Sequence, residues 1–329
     1  MKALHARGEK VRGFVMPKDC STALNGLGLE VIEGNICSLD SLDRLFLGLE
    51  AYEVIVIHTA GIVTIATRHD DLVYEVNVNG TRNIIRKCLE YKVRRLVYIS
   101  SVHAIPEKPR GEVIAETTQF DPEIVRSLYT KTKAEATRLV LDSVKEGLDA
   151  IVVHPSGIIG PNDYGCGNLT QLVLDFIDGR LAVTIKGGYD FVDIRDVTEG
   201  ILAAMEKGRK GECYILSNQF YTVKEFLDLL AEVSGKRKIR TVLSMWFAVW
   251  SAPLSEYWYK LRKKPPLFTV YSLFTLSSNA CFTHEKADRE LGYTTRDMRD
   301  TMRDTLVFLR GESRMRKDRR NPVEIQKGF

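Results

Sequence analysis

The stretch that decides the fold is Arg95-Leu96-Val97-Tyr98-Ile99-Ser100-Ser101. Its apolar and β-branched residues predict a strand, and the two serines mark where that strand ends. Because the apolar run is continuous rather than alternating, we expect the strand to be buried on both faces of a parallel sheet. Ligand-binding groups in such sheets gather outside the carboxyl ends of the strands, so this edge is a candidate site.

Similar apolar runs and helical patterns alternate along the first half of the chain. The other predicted strands lie at 11–16, 29–32, 54–57 and 150–153, and helical patterns lie at 41–47, 74–91 and 129–145. This alternation predicts an α/β fold with a doubly wound, parallel, Rossmann-type sheet. After Pro155 the loops lengthen and become rich in glycine, which predicts a smaller C-terminal substrate lobe.

The sharpest chemical signal is Tyr129-Thr130-Lys131-Thr132-Lys133. Tyrosine and lysine four positions apart on a helix project onto one face. A nearby ammonium favours the phenolate and so lowers the pKa of a tyrosine, which makes it usable as a general acid or base. Tyr129 is therefore the candidate acid or base, and a serine after the strand at 95–99 is the candidate partner for a substrate oxygen.

These motifs together resemble the extended short-chain dehydrogenase/reductase superfamily, the NAD-dependent epimerase/dehydratase family. Its further motifs follow in the family's order: His58-Thr59-Ala60-Gly61, Asn77-Val78-Asn79-Gly80-Thr81-Arg82-Asn83, His154-Pro155-Ser156-Gly157-Ile158-Ile159-Gly160-Pro161, Phe191-Val192-Asp193-Ile194-Arg195-Asp196-Val197 and Lys286-Ala287-Asp288-Arg289-Glu290-Leu291-Gly292-Tyr293. The third of these has His154 where the family has arginine. The resemblance is closest to members like dihydroflavonol reductase and 3β-hydroxysteroid dehydrogenase.

The resemblance implies both the catalytic and the cofactor-binding residues. Ser101, Tyr129 and Lys133 would be catalytic, with Ser100 as the alternative serine, and Lys133 would also hold the nicotinamide ribose. The cofactor-binding set that it implies is Lys18, Asn35, Ile36, Thr59, Ala60, Gly61, Asn77, Tyr129, Lys133, Pro155, Ser156, Gly157 and Ile158. The cofactor would be NAD or NADP, and Lys18 after the strand at 11–16, with no acidic residue at the strand end until Asp19, favours NADP. No metal site is expected.

The amino terminus departs from the family pattern. Members begin with a strand and a Gly-x-x-Gly-x-x-Gly turn, whereas residues 1–8 here already read as the end of the helix that follows that turn. The missing strand would be central in the sheet, and the turn would hold the cofactor's pyrophosphate at a helix N-terminus. We therefore expect the first strand to be absent and cofactor binding to be impaired.

The predicted organisation has three parts. A cofactor-binding domain covers 1–155, with 189–215 returning to it; a substrate lobe covers most of 156–310; and 311–329 forms a basic, disordered tail. The segment 245–276 carries all three tryptophans, which suggests an apolar substrate pocket, a lobe core, or a surface that touches a membrane or a partner subunit.

Composition excludes several classes of protein. The chain of 329 residues has 44% hydrophobic and 27% charged residues with a net charge of +4, which argues against a disordered chain and against a nucleic-acid-binding surface. Its six cysteines have no metal-site or redox spacing and fit a reducing cytoplasm. The most continuous apolar stretch, 242–254, is 13 residues long, which is shorter than the roughly 20 residues that a spanning helix needs.

The sequence therefore predicts an NAD(P)-dependent oxidoreductase that interconverts a secondary alcohol and a ketone on a small, apolar substrate. Two alternatives remain open. One is a nucleotide-sugar epimerase or dehydratase with the same residues, and the other is a non-catalytic relative that acts as a binding protein. A homodimer is a further possibility that the sequence leaves open.

Overall fold

The computed structural model describes residues 1–17, 24, 26–64, 71–125, 127–244 and 275–312. Lys18, nearly all of the aromatic segment 245–276 and nearly all of the tail 311–329 lie outside the described residues. The predictions made for them therefore stay predictions.

The chain divides into two compact units. The first comprises Met1–Ser156, Asp196–Ser217 and Cys281–Thr294, and the second comprises Gly157–Arg195, Asn218–Ala280 and Thr295–Phe329. The division of the chain into a cofactor domain and a substrate lobe remains an interpretation of the sequence.

The first unit contains the parallel sheets and the helices that cover them. Its elements up to the fourth strand are α1 (Lys2–Ala6), β1 (Arg12–Val15), β2 (Glu30–Glu33), α2 (Leu39–Phe46), β3 (Ile55–His58), α3 (Asp71–Tyr74), a π-helical turn (Glu75–Gly80), α4 (Thr81–Glu90) and β4 (Arg95–Ile99). A short 3₁₀ helix (Val102–Ala104), α5 (Leu128–Ser143) and β5 (Ala150–Pro155) follow. The strands lie within two residues of the predicted runs.

The second half of the chain contributes to both units. Its elements are β6 (Gly157–Ile159), α6 (Asn168–Ile177), β7 (Thr184–Ile185), β8 (Gly188–Asp193), α7 (Ile194–Lys207), β9 (Cys213–Leu216), β10 (Gln219–Thr222), α8 (Val223–Ser234), β11 (Val242–Leu243), α9 (Glu285–Leu291) and α10 (Met298–Gly311). In the second unit β8 pairs with β6 in parallel and with β10 in antiparallel orientation, and β11 pairs with β7.

The strands of the first unit form two separate parallel sheets. The larger has the order β3-β4-β5-β9 and the smaller contains β1 and β2. The inner strands β4 and β5 are almost wholly buried, as their continuous apolar runs predict. The parallel Rossmann-like sheet confirms the predicted fold class.

A cavity of about 650 Å³ lies beside the inner edges of both sheets. It is lined by residues of β1 and by all four residues of β3. Among the described residues β1 pairs only with β2 and β3 only with β4, so the strand edges that border this cavity are unpaired.

Candidate active site

Tyr129 lies in the first turn of α5 because a capping box starts the helix immediately before it. The Ser127 hydroxyl accepts a hydrogen bond from the backbone N–H of Thr130 at 3.1 Å, and the Thr130 hydroxyl accepts one from the Ser127 N–H at 2.9 Å. The two reciprocal bonds satisfy two of the otherwise unpaired N–H groups at a helix start. They fix the point where α5 begins, and so they place Tyr129 beside the end of β4.

Lys133 projects its ammonium group into the interior one turn further along α5. Its Nζ donates to the carbonyl oxygen of Ile99 at 2.9 Å and to the Tyr98 hydroxyl at 3.4 Å. The same Nζ lies 5.0 Å from the centre of the Tyr98 ring. Only 5% of Lys133 is exposed, and within the described residues no carboxylate forms an ion pair with it. A buried cation is thus held entirely by uncharged groups.

Burial dominates the electrostatics of this region. It lowers the pKa of Lys133 to about 8. Burial, with a smaller contribution from the Lys133 charge, lowers the pKa of His58 to about 3. Burial likewise lowers the pKa of His154 to about 4. Both histidines are therefore neutral near pH 7, and Lys133 is the cation of the site.

The two candidate serines have different partners. The Ser100 hydroxyl is hydrogen-bonded to the Thr137 hydroxyl on α5 at 2.7 Å. The Ser101 hydroxyl accepts the backbone N–H of His103 at 3.2 Å, and the His103 ring lies edge-on to the Tyr129 ring with 6.2 Å between their centres. Ser101 is therefore bonded to the backbone of the residue whose ring contacts Tyr129, whereas Ser100 is bonded to Thr137 on α5.

His154 fixes the backbone at Ser101. Its Nδ1 lies 2.9 Å from the Ser101 carbonyl oxygen, and because a carbonyl can only accept, Nδ1 carries the proton. The ring is fully buried and stacks on Phe120 with 5.3 Å between ring centres. The histidine that replaces the family's arginine thus holds the peptide that carries the candidate catalytic serine.

Asn77 joins the segment 59–61 to α5. Its Nδ2 donates to the carbonyl oxygen of Ile62 at 3.0 Å and to the Thr132 hydroxyl at 3.1 Å, and its Oδ1 accepts the Ile62 N–H at 2.7 Å. Thr59, Ala60 and Gly61 are exposed at the end of β3. A Cβ on Gly61 would lie 3.2 Å from Asn77 Oδ1 and 3.4 Å from Lys133 Nζ, so the glycine lets both side chains approach the backbone closely.

Asn35 and Ile36 lie together after β2. The Asn35 side chain accepts the backbone N–H of Cys37 at 2.9 Å, and the Ile36 carbonyl accepts from Asn83 at 3.0 Å. Gly80 packs against Ile36, because a Cβ there would come within 2.5 Å of the isoleucine side chain. Asn35 and Ile36 are therefore held in place by hydrogen bonds and close packing rather than by ion pairs.

The remaining predicted cofactor residues fall in both units. Pro155 ends β5, and the N–H of the buried Ser156 donates to the Leu216 carbonyl at 3.1 Å. Gly157 and Ile158 belong to β6 in the second unit. A Cβ on Gly157 would lie 2.8 Å from the Asp190 carbonyl oxygen, so β6 and β8 require glycine there.

The first-unit residues fit one end of a dinucleotide better than its middle. The Gly61 cradle beside the Lys133 ammonium suits a ribose with its hydroxyls, and Asn35 supplies both donor and acceptor groups for an adenine. No described segment supplies a glycine turn that leads into a helix of eight or more residues beside β1, where a pyrophosphate would be held. Within the same residues no cluster of His, Cys, Asp and Glu is arranged to hold a metal ion.

Residues 1–217 match the sequence model of the NAD dependent epimerase/dehydratase family. The chain belongs to this family. Family membership confirms the enzyme class predicted above, an NAD(P)-dependent oxidoreductase of the extended short-chain dehydrogenase/reductase type, and NAD or NADP as its cofactor.

Curated relatives of this family member cover nearly its whole length. It is similar to sterol demethylase protein B of Methylococcus capsulatus, with 31% identity over 94% of each chain. It is also similar to a putative dihydroflavonol 4-reductase of Synechocystis, with 24% identity over 93% of this chain and 89% of the relative. A third relative is the decarboxylating sterol-4-alpha-carboxylate 3-dehydrogenase erg26 of Schizosaccharomyces pombe, with 27% identity over 85% of this chain and 84% of that protein.

Solved structures share the fold. The crystal structure of gox2253 superposes with a TM-score of 0.81 and 28% identity, covering 95% of this chain and 94% of that one. A dTDP-glucose 4,6-dehydratase from Bacillus anthracis, solved in complex with NAD, gives a TM-score of 0.71 at 16% identity, covering 94% of this chain and 90% of that one. At 16% identity, the similarity to the dehydratase is evidence of a shared fold alone. Within the described residues, no helix of this family member is long and apolar enough to cross a membrane.

Sequence reasoning missed the groups that surround Lys133. Tyr98, Thr81 and His154 lie in or next to motifs of the family, but the sequence analysis gives none of the three a role in the site. One signal was present in the sequence, because Tyr98 is the single hydroxyl-bearing residue within an otherwise apolar strand core. A buried polar side chain of this kind needs partners, and here the Tyr98 hydroxyl is hydrogen-bonded to Lys133 and to Thr81.

Proposed function

We propose that this enzyme interconverts a secondary alcohol and a ketone on an apolar substrate, with Tyr129 as the group that exchanges a proton with the substrate oxygen. The observation that carries the proposal is the position of Tyr129 and the buried Lys133 ammonium in successive turns of α5 beside Ser101. When bound, the nicotinamide supplies or accepts the hydride.

The three catalytic candidates have distinct roles in this proposal. In alcohol oxidation the hydroxyl proton passes to the Tyr129 phenolate, and in ketone reduction Tyr129 returns a proton to the same oxygen. The Lys133 ammonium stabilises the phenolate through its charge and would hold the nicotinamide ribose. The Ser101 hydroxyl accepts from the His103 N–H, which leaves its own proton to donate to the substrate oxygen.

The cofactor contacts follow the same division. Thr59, Ala60, Gly61 and Asn77 would border the dinucleotide near Lys133, and Asn35 and Ile36 would contact the adenine. Pro155, Ser156, Gly157 and Ile158 would contact the nicotinamide. Lys18 would bind the extra phosphate of NADP.

We infer that the substrate is apolar, and sterol-like ring alcohols are the first class to test. Two relatives carry sterol substrates in their names, and a third is named as a dihydroflavonol reductase. The aromatic segment 245–276 supports an apolar pocket by its composition. A nucleotide sugar remains the second candidate, because the family includes epimerases and dehydratases.

A substrate panel tests the proposal. The chain is assayed with 3β-hydroxysteroids, a dihydroflavonol and UDP-glucose, each with millimolar NAD⁺ or NADP⁺ or the reduced cofactor. We expect turnover with an apolar alcohol or ketone, and a loss of about 100-fold or more in kcat for Tyr129→Phe. Tyr74→Phe is the matched control, because the Tyr74 hydroxyl on α3 donates at 2.8 Å to Glu135, which lies on the same helix as Tyr129. Turnover of UDP-glucose alone, or a Tyr129→Phe enzyme as fast as the control, would contradict the proposal.

A further inference from the structure

The Lys133 ammonium has an unusual set of partners for a buried cation. Among the described residues its Nζ bonds one backbone carbonyl, that of Ile99, and one side chain, that of Tyr98. A lysine ammonium has three protons to donate, and burying it without a carboxylate strongly favours the uncharged amine. Within the part of the chain that the structure describes, two groups stabilise the charged form of Lys133. The Ile99 carbonyl belongs to the backbone, so Tyr98 is the partner that a substitution can remove.

Tyr98 offers the ammonium two kinds of contact. Its hydroxyl oxygen accepts from Nζ at 3.4 Å, and its ring centre lies 5.0 Å from the same atom. The face of an aromatic ring attracts a cation most strongly where water is excluded, and Tyr98 is fully buried. Burial and the neighbouring Tyr129 raise the pKa of Tyr98, so the phenol stays neutral and its oxygen remains an acceptor.

Tyr98 is itself held in place by the strand beside it. It is the register partner of His58 in the β3–β4 pair, and the two rings lie 5.3 Å apart. His58 Nε2 lies 2.9 Å from the Thr81 hydroxyl, which donates to the Asn77 carbonyl at 2.7 Å. Because the Thr81 proton is used in that bond, His58 donates and is fixed in one tautomer. The ring that faces Tyr98 therefore has a fixed orientation.

We propose that Tyr98 is a positioning residue that holds the Lys133 ammonium, with its hydroxyl oxygen and ring face taking the place of a counter-ion. The proposal deepens the proposed function and rests on it only for its effect on catalysis. Tyr98 has no role as an acid or base, and it acts on the reaction through Lys133. It sets the orientation of the ammonium and the pH range over which Lys133 stays charged.

The histidines on the neighbouring strands do not change charge in the pH range where Lys133 titrates. His58 on β3 and His154 on β5 have pKa values of about 3 and 4, so neither changes its charge between pH 6 and 9. Tyr129 is on the same helix as Lys133 and is absent from a Tyr129→Phe background. A change in the titration of Lys133 in that background is therefore traced to Tyr98.

Titration of Lys133 by NMR tests the proposal directly. Protein labelled with ¹³C at lysine Cε is titrated as wild type, Tyr98→Phe and Tyr98→Leu, in the native and the Tyr129→Phe background, and the Lys133 signal is assigned from its loss in Lys133→Met. Removing only the hydroxyl should lower the pKa of Lys133 by about half a unit, and removing the ring as well should lower it by about one unit or more. Tyr214→Phe is the matched control, because it removes a buried hydroxyl that bonds Glu290 at 3.0 Å.

Kinetics provide the second readout. In Tyr98→Phe the alkaline limb of the kcat profile should move to lower pH by the same amount as the titration, whereas Tyr214→Phe should lower thermal stability without moving it. An unchanged pKa of Lys133 in a folded Tyr98→Phe protein would overturn the proposal, and this variant decides the question if Tyr98→Leu does not fold. A wild-type protein without turnover would count against the proposed function, while the titration would still decide the role of Tyr98.

Discussion

At the scale of single residues, the candidate site contains one buried lysine, Lys133, whose charged form is destabilised by burial. The pKa of Lys133 is lowered from 10.5 to about 8 by burial, which corresponds to about 3 kcal/mol of unfavourable free energy in the charged, folded state. Because Lys133 has no ion-pair partner in the part of the chain that the structure describes, its burial lowers stability rather than raising it. The lysine is therefore better explained by the chemistry that it supports.

Replacing this lysine should stabilise the fold in a pH-dependent manner. Between pH 8 and 10.5 the unfolded chain binds the Lys133 proton and the folded chain does not, so the stability of the wild type rises with pH in this window. We expect Lys133→Met to be more stable than wild type by up to about 3 kcal/mol at pH 7, with the difference shrinking as the pH rises towards 10.5. Urea unfolding at a series of pH values measures it.

The neighbouring lysine is the control for this experiment. Lys131 is partly exposed on the same helix and forms an ion pair with Glu123, a contact of small energy. Lys131→Met should therefore change stability by less than about 1 kcal/mol at every pH. A Lys133→Met effect with no dependence on pH would show that burial of the charge is not the source of the effect.

At the scale of elements, the helix start before Tyr129 carries the geometry of the site. The capping box formed by Ser127 and Thr130 fixes where α5 begins. Ser127→Ala should cost about 1–2 kcal/mol of stability and fray the turn that holds Tyr129. Because a displacement of about 1 Å at a reacting group can cost a hundred-fold in rate, we expect kcat to fall by about 10-fold or more.

A second capping box separates helix stability from site geometry. Thr222 and Glu225 form the same reciprocal bonds at the start of α8 in the second unit. Thr222→Ala should lose a similar amount of stability and keep its kcat. Equal losses of kcat in Ser127→Ala and Thr222→Ala would show that the rate follows overall stability rather than the position of Tyr129.

The elements also show how far the sequence alone determines the site. The sequence predicts the first five strands within two residues, because a run such as 150–153 is apolar throughout and is expected to be buried on both faces, whereas it gives no bounds for the strands after Pro155. The π-helical turn at Glu75–Gly80 was not predicted, because its residue preferences resemble those of an α-helix. The contact between His58 and Tyr98 was not predicted either, since it depends on the register of two strands that are far apart in the chain.

At the scale of the whole molecule, a cavity of about 650 Å³ is lined by residues of β1 in the smaller parallel sheet and of β3 in the larger one. Two facing strand edges present unpaired backbone donors and acceptors, which lower stability and favour aggregation. Among the residues that the structure describes in this region, no glycine turn leads into a helix that could hold a pyrophosphate. A segment that fills this cavity and supplies backbone N–H groups should therefore raise both the stability of the protein and its affinity for the cofactor.

An added strand and glycine turn should raise both properties. We expect an N-terminal extension with a five-residue apolar strand and a Gly-x-x-Gly-x-x-Gly turn to raise the melting temperature. Two or more new charge-assisted hydrogen bonds should tighten NAD(P) binding by about 3–6 kcal/mol, roughly a hundred-fold to ten-thousand-fold. Thermal melts and isothermal titration of both forms measure these effects. An extension with alanine at the three glycines is the control, because it should keep most of the stability gain and lose the gain in affinity.

Two results would contradict this prediction. Equal melting temperatures and solubilities would mean that another group already fills the cavity. A dissociation constant in the low micromolar range for the chain of 329 residues would mean that the phosphates are held elsewhere.

In the proposed function, Tyr129, Lys133 and Ser101 surround the point where a hydride moves between a nicotinamide and a substrate carbon. The most direct measurement is a single-turnover reaction of an apolar ketone with NADH or NADPH carrying deuterium at the nicotinamide C4, with mass spectrometry of the product. The account predicts one deuterium on the carbinol carbon of the alcohol formed by the wild type, and a rate at least about 100-fold lower in Tyr129→Phe. Deuterium transfer at the wild-type rate by a folded Tyr129→Phe protein would contradict it.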